Sequence, residues 1–115
     1  MTNSGAQAES WAAHHLQQKG LKLIAQNYRG RFGEIDLIMQ DGDVLVFVEV
    51  RLRSNADFGG AAASVDARKQ QRIIRTAHQY LASLARMPPC RFDVMLMDDV
   101  HGMNAQWLKN AFDAP

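Results

Sequence analysis

Residues 33–53 read GEIDLIMQDGDVLVFVEVRLR, and this stretch decides the fold. Two β-rich runs flank Asp41-Gly42, a dipeptide suited to the left-handed angles of a two-residue hairpin turn. Ile35, Leu37 and Met39 alternate with Glu34, Asp36 and Ile38 on the first run. The second run is apolar from Val44 to Val48 and then carries Glu49 and Arg51. An apolar strand of that kind is buried on both faces, which predicts a central position in its sheet.

With Asp41 and Gly42 as the loop, Gln40 faces Asp43, Ile38 faces Leu45, Asp36 faces Phe47 and Glu34 faces Glu49. Side chains alternate with period two, so this register predicts Glu34, Asp36, Glu49 and Arg51 on one side of the sheet. Asp36 and Glu49 form a diagonal pair roughly 7–8 Å apart, close enough to share a cation or a water. Acids placed this way repel and are costly to bury without compensation. Arg51, a bound Mg²⁺ or Mn²⁺, or a basic group from elsewhere in the fold can supply it.

Outward from the hairpin, residues 6–19 show helical periodicity in Ala8, Trp11, Ala12, His15, Leu16 and Lys19, with Gly20 as the C-terminal cap. Glu9 falls in the first turn of that helix, where a carboxylate suits the dipole. His14 and His15 lie about 100° apart on it and cannot ligate one metal from a single face. Residues 21–28 read as a strand, and Arg29-Gly30-Arg31 as a turn bringing two cations next to the acidic hairpin. Ser54–Gly60 has the composition of a polar loop. Residues 62–86 carry an apolar helical stripe, with Arg68, Arg72, Arg75 and Gln79 on another face and Lys69 beside them. That row of cations, with Asp66 as the nearest acid, suits phosphates along a nucleic-acid backbone. Met87-Pro88-Pro89 ends the helix. Cys90–Met97 alternates as a further strand, and 105–112 is a short strand or helical turn that periodicity does not decide.

The order predicts an α/β domain over residues 1–115: a mixed sheet flanked by helices, α-β-β-β-α-β-(β), with the Cys90 strand parallel to a member of the hairpin meander. At 115 residues, 47% hydrophobic and 22% charged with net charge +1, the composition is that of an ordinary globular domain. No global field marks a polyanionic partner, so that case rests on local clustering. One cysteine excludes an internal disulfide and a cysteine-based zinc site. The polar first residues and the lack of a long apolar run predict a cytoplasmic protein with no membrane partner.

An acid on one central strand followed by Glu-x-basic on the next is the pattern of PD-(D/E)xK nucleases. Ala8-Glu9-x-x-Ala12, Leu16-x-x-x-Gly20, Asn27-Tyr28-Arg29, Gly33–Ile38, Val46–Arg51 and Lys69-x-x-Arg72-Ile73 extend the match in order and spacing. The chain resembles the YraN-like family of small bacterial proteins, similar to a Holliday-junction-resolvase branch of the restriction-endonuclease-like fold. The resemblance implies a metal-dependent DNA endonuclease acting on branched DNA, with dimers as an expectation from such resolvases. It implies Asp36, Glu49 and the Val50 carbonyl as ligands of Mg²⁺ or Mn²⁺, Glu9 as an additional catalytic acid, and Glu34 as a supporting group. Arg29, Arg31, Arg53, Arg68, Lys69, Arg72 and Arg75 are the expected DNA contacts, with Lys69 or Gln70 facing the site. Arg51 stands where the superfamily has lysine; it can bind phosphate bidentately but is a poor general base. The competing reading is a non-catalytic DNA-binding or protein-interaction module that keeps the fold.

Overall fold

The computed structural model describes residues 4–53 and 65–113. Its elements run α1 (Ser4–Gln18), β1 (Lys22–Arg29), β2 (Glu34–Asp41), β3 (Val44–Leu52), α2 (Ala67–Ala82), β4 (Cys90–Met97) and β5 (Gln106–Phe112). The five strands form one sheet in the order β1-β2-β3-β4-β5. β3 and β4 are parallel, with α2 as their crossover, and the other pairs are antiparallel. The predicted mixed sheet between helices is the observed architecture, and the undecided 105–112 segment is an edge strand.

Each sheet face has its own core. Ala8, Ala12, Ala13 and Leu16 of α1 pack on Leu37, Met39, Val46, Val48, Met95 and Met97. On the other face Ile73, Ile74, Ala77 and Leu81 of α2 pack on Ile38, Leu45, Phe47, Phe92 and Val94. Phe47, Phe92 and Phe112 stack in a row across that face, at 5.4 and 5.1 Å between centroids. β3 is buried from Leu45 to Glu49 because it feeds both cores, as its unbroken apolar run predicts.

Three local expectations change. The hairpin loop is Gly42-Asp43, since Asp41 pairs with Val44 and Ile38 with Phe47. Gly42 has φ +60° at the first central position, where a type II′ turn needs glycine. Asp41 stays in the strand, and its carboxylate accepts a hydrogen bond from Arg91 at 2.9 Å. The second helix begins at Ala67 rather than 62, because Asp66 caps it by accepting the Lys69 amide at 2.8 Å. Its C-terminal end comes at Ala82, with Ser83 as the cap, four residues before the predicted 86. The first helix starts at Ser4, which moves Glu9 beyond the first turn and removes the dipole account of that residue. The Ser54–Gly60 loop and residues 62–64 lie outside the described residues.

Asp93 fastens the β4 side of the sheet. It is fully buried and accepts from Arg91 Nε at 3.0 Å, Trp107 Nε1 at 2.9 Å and the Asn110 amide at 2.9 Å. Asn110 has φ +52°, a conformation asparagine tolerates, and this aims its N–H at the carboxylate. Asp93→Ala leaves the half-buried Arg91 with Asp41 as its remaining partner and two further donors without their acceptor, and is expected to destabilise the fold by about 2–4 kcal/mol. Urea denaturation checks this, and a change within about 0.5 kcal/mol of wild type contradicts the assigned role.

Candidate metal and phosphate site

The strands that carry the acids separate where the acids lie. β2 and β3 are paired from Asp41–Val44 to Leu37–Val48, and the register ends there. One residue further, Asp36 Oδ2 accepts the Val50 amide at 2.8 Å, so a side chain continues the ladder in place of a backbone carbonyl. On the other side Asn27, at φ +53°, drops out of the β1–β2 register between the Gln26–Leu37 and Tyr28–Ile35 pairs. Alternation along β2 breaks at the same point. Ile35 and Ile38, three residues apart, share the α2-side core, while Leu37 lies in the α1-side core.

This break corrects the one-sided placement of Glu34, Asp36, Glu49 and Arg51. Glu9 from α1 and Glu34 and Asp36 from β2 each offer a carboxylate oxygen, and these oxygens lie within 4.8 Å of one another. Glu49 points toward α2, where Lys69 Nζ stands 3.3 Å from its Oε2. Asp36 is common to both groups: its carboxylate raises the pKa of Glu9 and of Glu49. The acids thus straddle the fork between β2 and β3. Glu34, expected as a supporting group, has the geometry of a direct ligand.

The electrostatics follow from this crowding. Glu49 is 5% exposed, and burial followed by the Asp36 carboxylate pushes its pKa up to about 9 against the pull of Lys69. Burial, then the charges of Asp36 and Glu34, pushes Glu9 up to about 7, while a hydrogen bond with Asn27 works the other way. The Lys69 ammonium approaches Glu49 without hydrogen-bond geometry, and Glu49 Oε2 has no hydrogen-bond donor among the described residues. A buried carboxylate oxygen with no donor, beside a cluster of hard oxygen ligands, fits a divalent cation such as Mg²⁺ or Mn²⁺. A cleft lined by Glu9, Asn27, Arg29 and Glu34 opens the acidic cluster to solvent.

The cations divide by their partners. Lys69, one of two candidates for the site, reaches Glu49, whereas Gln70 donates to the Val65 carbonyl at 2.8 Å. Arg68, Arg72 and Arg75 are exposed, line one groove with Gln71, and have no carboxylate partner among the described residues. Arg29 pairs with Glu34 at 3.3 Å, and the Arg31 amide donates to Gln79 at 2.9 Å. Arg53, an expected DNA contact, is tied instead to Asp98 at 2.8 Å, to Gln106 and to the Asn104 carbonyl. That network fixes the end of β3 to the β4–β5 turn, because a guanidinium presents several donors at once. Arg51 is half-buried, and its side chain makes no hydrogen bond or ion pair among the described residues. At Val50 the amide is committed to Asp36. Sequence reading had Asn27 within the Asn27-Tyr28-Arg29 match but gave it no role; its other signal is an asparagine near the end of a strand, a residue type that tolerates positive φ.

Both acid shifts place the folded pKa above the ordinary 4.5. The native state then holds protons that the unfolded chain has released. Stability therefore falls as pH rises from about 4.5 through about 7 for Glu9, and on toward about 9 for Glu49. Without divalent ions, Tm is expected to drop by at least ~5 °C between pH 5 and pH 9 relative to Glu49→Gln, which lacks the titrating group. Parallel Tm–pH curves for the two proteins refute the shift assigned to Glu49.

Comparison with known proteins places the geometry in a family. Residues 8–97 match the model of the uncharacterised protein family UPF0102. A UPF0102 protein of Nitrosomonas europaea is 55% identical over 96% of this chain and 94% of its own length. One from Nitrosospira multiformis is 50% identical over 95% of this chain and 92% of its own length, and one from Pseudomonas fluorescens 51% over 97% and 94%. The matched span takes in Glu9, Asp36, Glu49 and Lys69, and the family anticipated from the motifs is the one found. The chain belongs to the uncharacterised protein family UPF0102.

Proposed function

We propose that this protein is a divalent-metal-dependent DNA endonuclease that hydrolyses phosphodiester bonds, with branched DNA as its expected substrate. The observation that carries the reading is the Glu49–Lys69 pair: a buried carboxylate with a donorless oxygen, 3.3 Å from a lysine. The lysine absent at position 51 is available from α2. Lysine can gain or lose a proton at a reacting centre, and arginine essentially cannot.

Asp36, with Glu49 on one side and Glu9 and Glu34 on the other, would hold the cation. When bound, Mg²⁺ or Mn²⁺ supplies a lowered pKa for the attacking water and neutralises charge on phosphorus. The protein's own groups do the rest. Asp36 is held in place by the Val50 amide, so its free oxygen is fixed at the fork. Glu49, protonated near neutral pH in the free protein, and Glu9, which titrates in that range, release their protons when a cation or a basic group compensates them. Lys69 lies where it can orient water or contact a scissile phosphate. Arg68, Arg72 and Arg75, without an ion pair among the described residues, supply backbone phosphate contacts along α2. Two copies acting together suit a symmetric junction with two strands to cut.

Two measurements test this. Purified protein with Mn²⁺ or Mg²⁺ is expected to cleave at least one of linear, flap and four-way-junction DNA. Asp36→Asn, Glu49→Gln and Lys69→Ala are expected to slow cleavage by roughly 100-fold or more. Intact DNA on all three substrates, or cutting undiminished in Asp36→Asn, defeats the proposal. Separately, saturating Mn²⁺ at pH 8 is expected to raise the Tm of wild type, by about 2.7 kcal/mol of stability at 100 times Kd, and to leave Asp36→Asn unmoved. An equal response in both proteins places the ion elsewhere.

A further inference from the structure

Phe32 is an anomaly on this surface. It is 44% exposed at the tip of the β1–β2 turn, yet two cations flank its ring: the Arg31 guanidinium carbon lies 5.9 Å from the centroid and that of Arg75 5.7 Å. The turn carrying it is fixed. Gly30 N donates to Gly33 O at 2.8 Å, the Arg31 amide donates to Gln79 Oε1 at 2.9 Å, and a side chain at Gly30 would collide with Gln79. An exposed aromatic ring is therefore placed against α2, beside the groove of Arg68, Gln71, Arg72 and Arg75.

From this arrangement we infer that Phe32 is a stacking platform for an unpaired DNA base, with Arg31 and Arg75, which lie over the ring in the free protein, turning outward to contact the phosphates on either side. An exposed ring beside a cationic groove is how proteins hold single strands: the groove tracks the backbone, and the ring takes any base because every base has a π-face. A fully paired duplex offers no free base face to a surface ring, so the arrangement selects DNA with unstacked nucleotides. Arg75 lies six residues beyond Lys69 on the same helix, about 9 Å along its axis. The base on Phe32 thus belongs to a strand segment close to the proposed scissile phosphate. The inference rests on the proposed nuclease reading and narrows its substrate to DNA with a locally single-stranded segment. Charge favours an anionic strand over an apolar peptide, since no acid pairs with Arg75 among the described residues.

The experiment separates this inference from the reading beneath it by measuring binding in EDTA, where cleavage plays no part. The probe is a single-stranded DNA with 2-aminopurine at one internal position, alongside a duplex of the same sequence and an RNA single strand. Wild type is expected to change the 2-aminopurine fluorescence. Phe32→Ala is expected to bind the single strand roughly 5- to 150-fold more weakly while duplex affinity stays within about twofold. Phe32→Trp is expected to retain binding, with its indole fluorescence quenched by the strand. Equal single-strand affinity in wild type and Phe32→Ala overturns the inference, even if the protein cuts DNA. Equal losses on single strand and duplex overturn it too, since they reduce Phe32 to shaping the groove. Tighter Phe32-dependent binding of RNA overturns the assignment to DNA. Phe32-dependent single-strand binding by a protein that cuts nothing upholds the stacking role and removes the nuclease reading alone.

Discussion

The Asp36 carboxylate accepting the Val50 amide is the contact from which the site is built. Where β2 and β3 stop pairing, two central strands would leave backbone groups without partners inside the protein, a costly condition. Asp36 resolves it by standing in for a carbonyl. In doing so it is drawn into the fork, where Glu9 and Glu34 approach from the α1 side and Glu49 from the α2 side. The separation of the strands and the convergence of the acids are one structural event.

That convergence is unfavourable in isolation. Four carboxyl groups share a small region, one of them almost fully buried, and the fold answers with Lys69 at Glu49, with the exposed Arg29 at Glu34, and with raised proton affinity at Glu9 and Glu49. Apolar side chains would pack such a place at lower cost. Asp93 shows how this same protein treats a buried acid that serves structure alone: it is surrounded by a guanidinium, an indole N–H and a backbone amide. Glu49, with a donorless oxygen, is treated differently. The contrast between two buried acids, one saturated and one not, supports a binding role at the fork. The two arginine populations divide in the same way. Arg53 and Arg91 are consumed by structure, while Arg68, Arg72 and Arg75 are left on the surface.

Much of this was legible in the residue pattern. Period-two alternation marked 90–97 as a strand, and its faces divide in that rhythm, with Met95 and Met97 in one core and Phe92, Val94 and Leu96 in the other. The apolar run 44–48 marked the strand that both cores share. Asp36 and Glu49 were identified as candidates from their types and spacing, whereas Glu9 and the site-facing Lys69 were implied by the family resemblance. The hairpin register was misjudged by two residues, because the glycine's position in the turn follows from what holds Asp41, and Arg91 lies 50 residues away.

The sequence by itself determined the order of elements as far as β4, the central place of β3 and the pairing of Asp36 with Glu49 as candidate acids, since these follow from short-range periodicity and residue type. Only the tertiary structure decided how the acids are shared out: Glu34 with Glu9, Glu49 with Lys69, and Asp36 between them. It also decided that Arg53 is spent on the β4–β5 turn while Phe32 stands exposed beside the arginines of α2. The reason is that alternation predicts faces only while a strand stays regular. At Asn27 and Asp36 both strands break step, and the side chains there are aimed by partners distant in the chain.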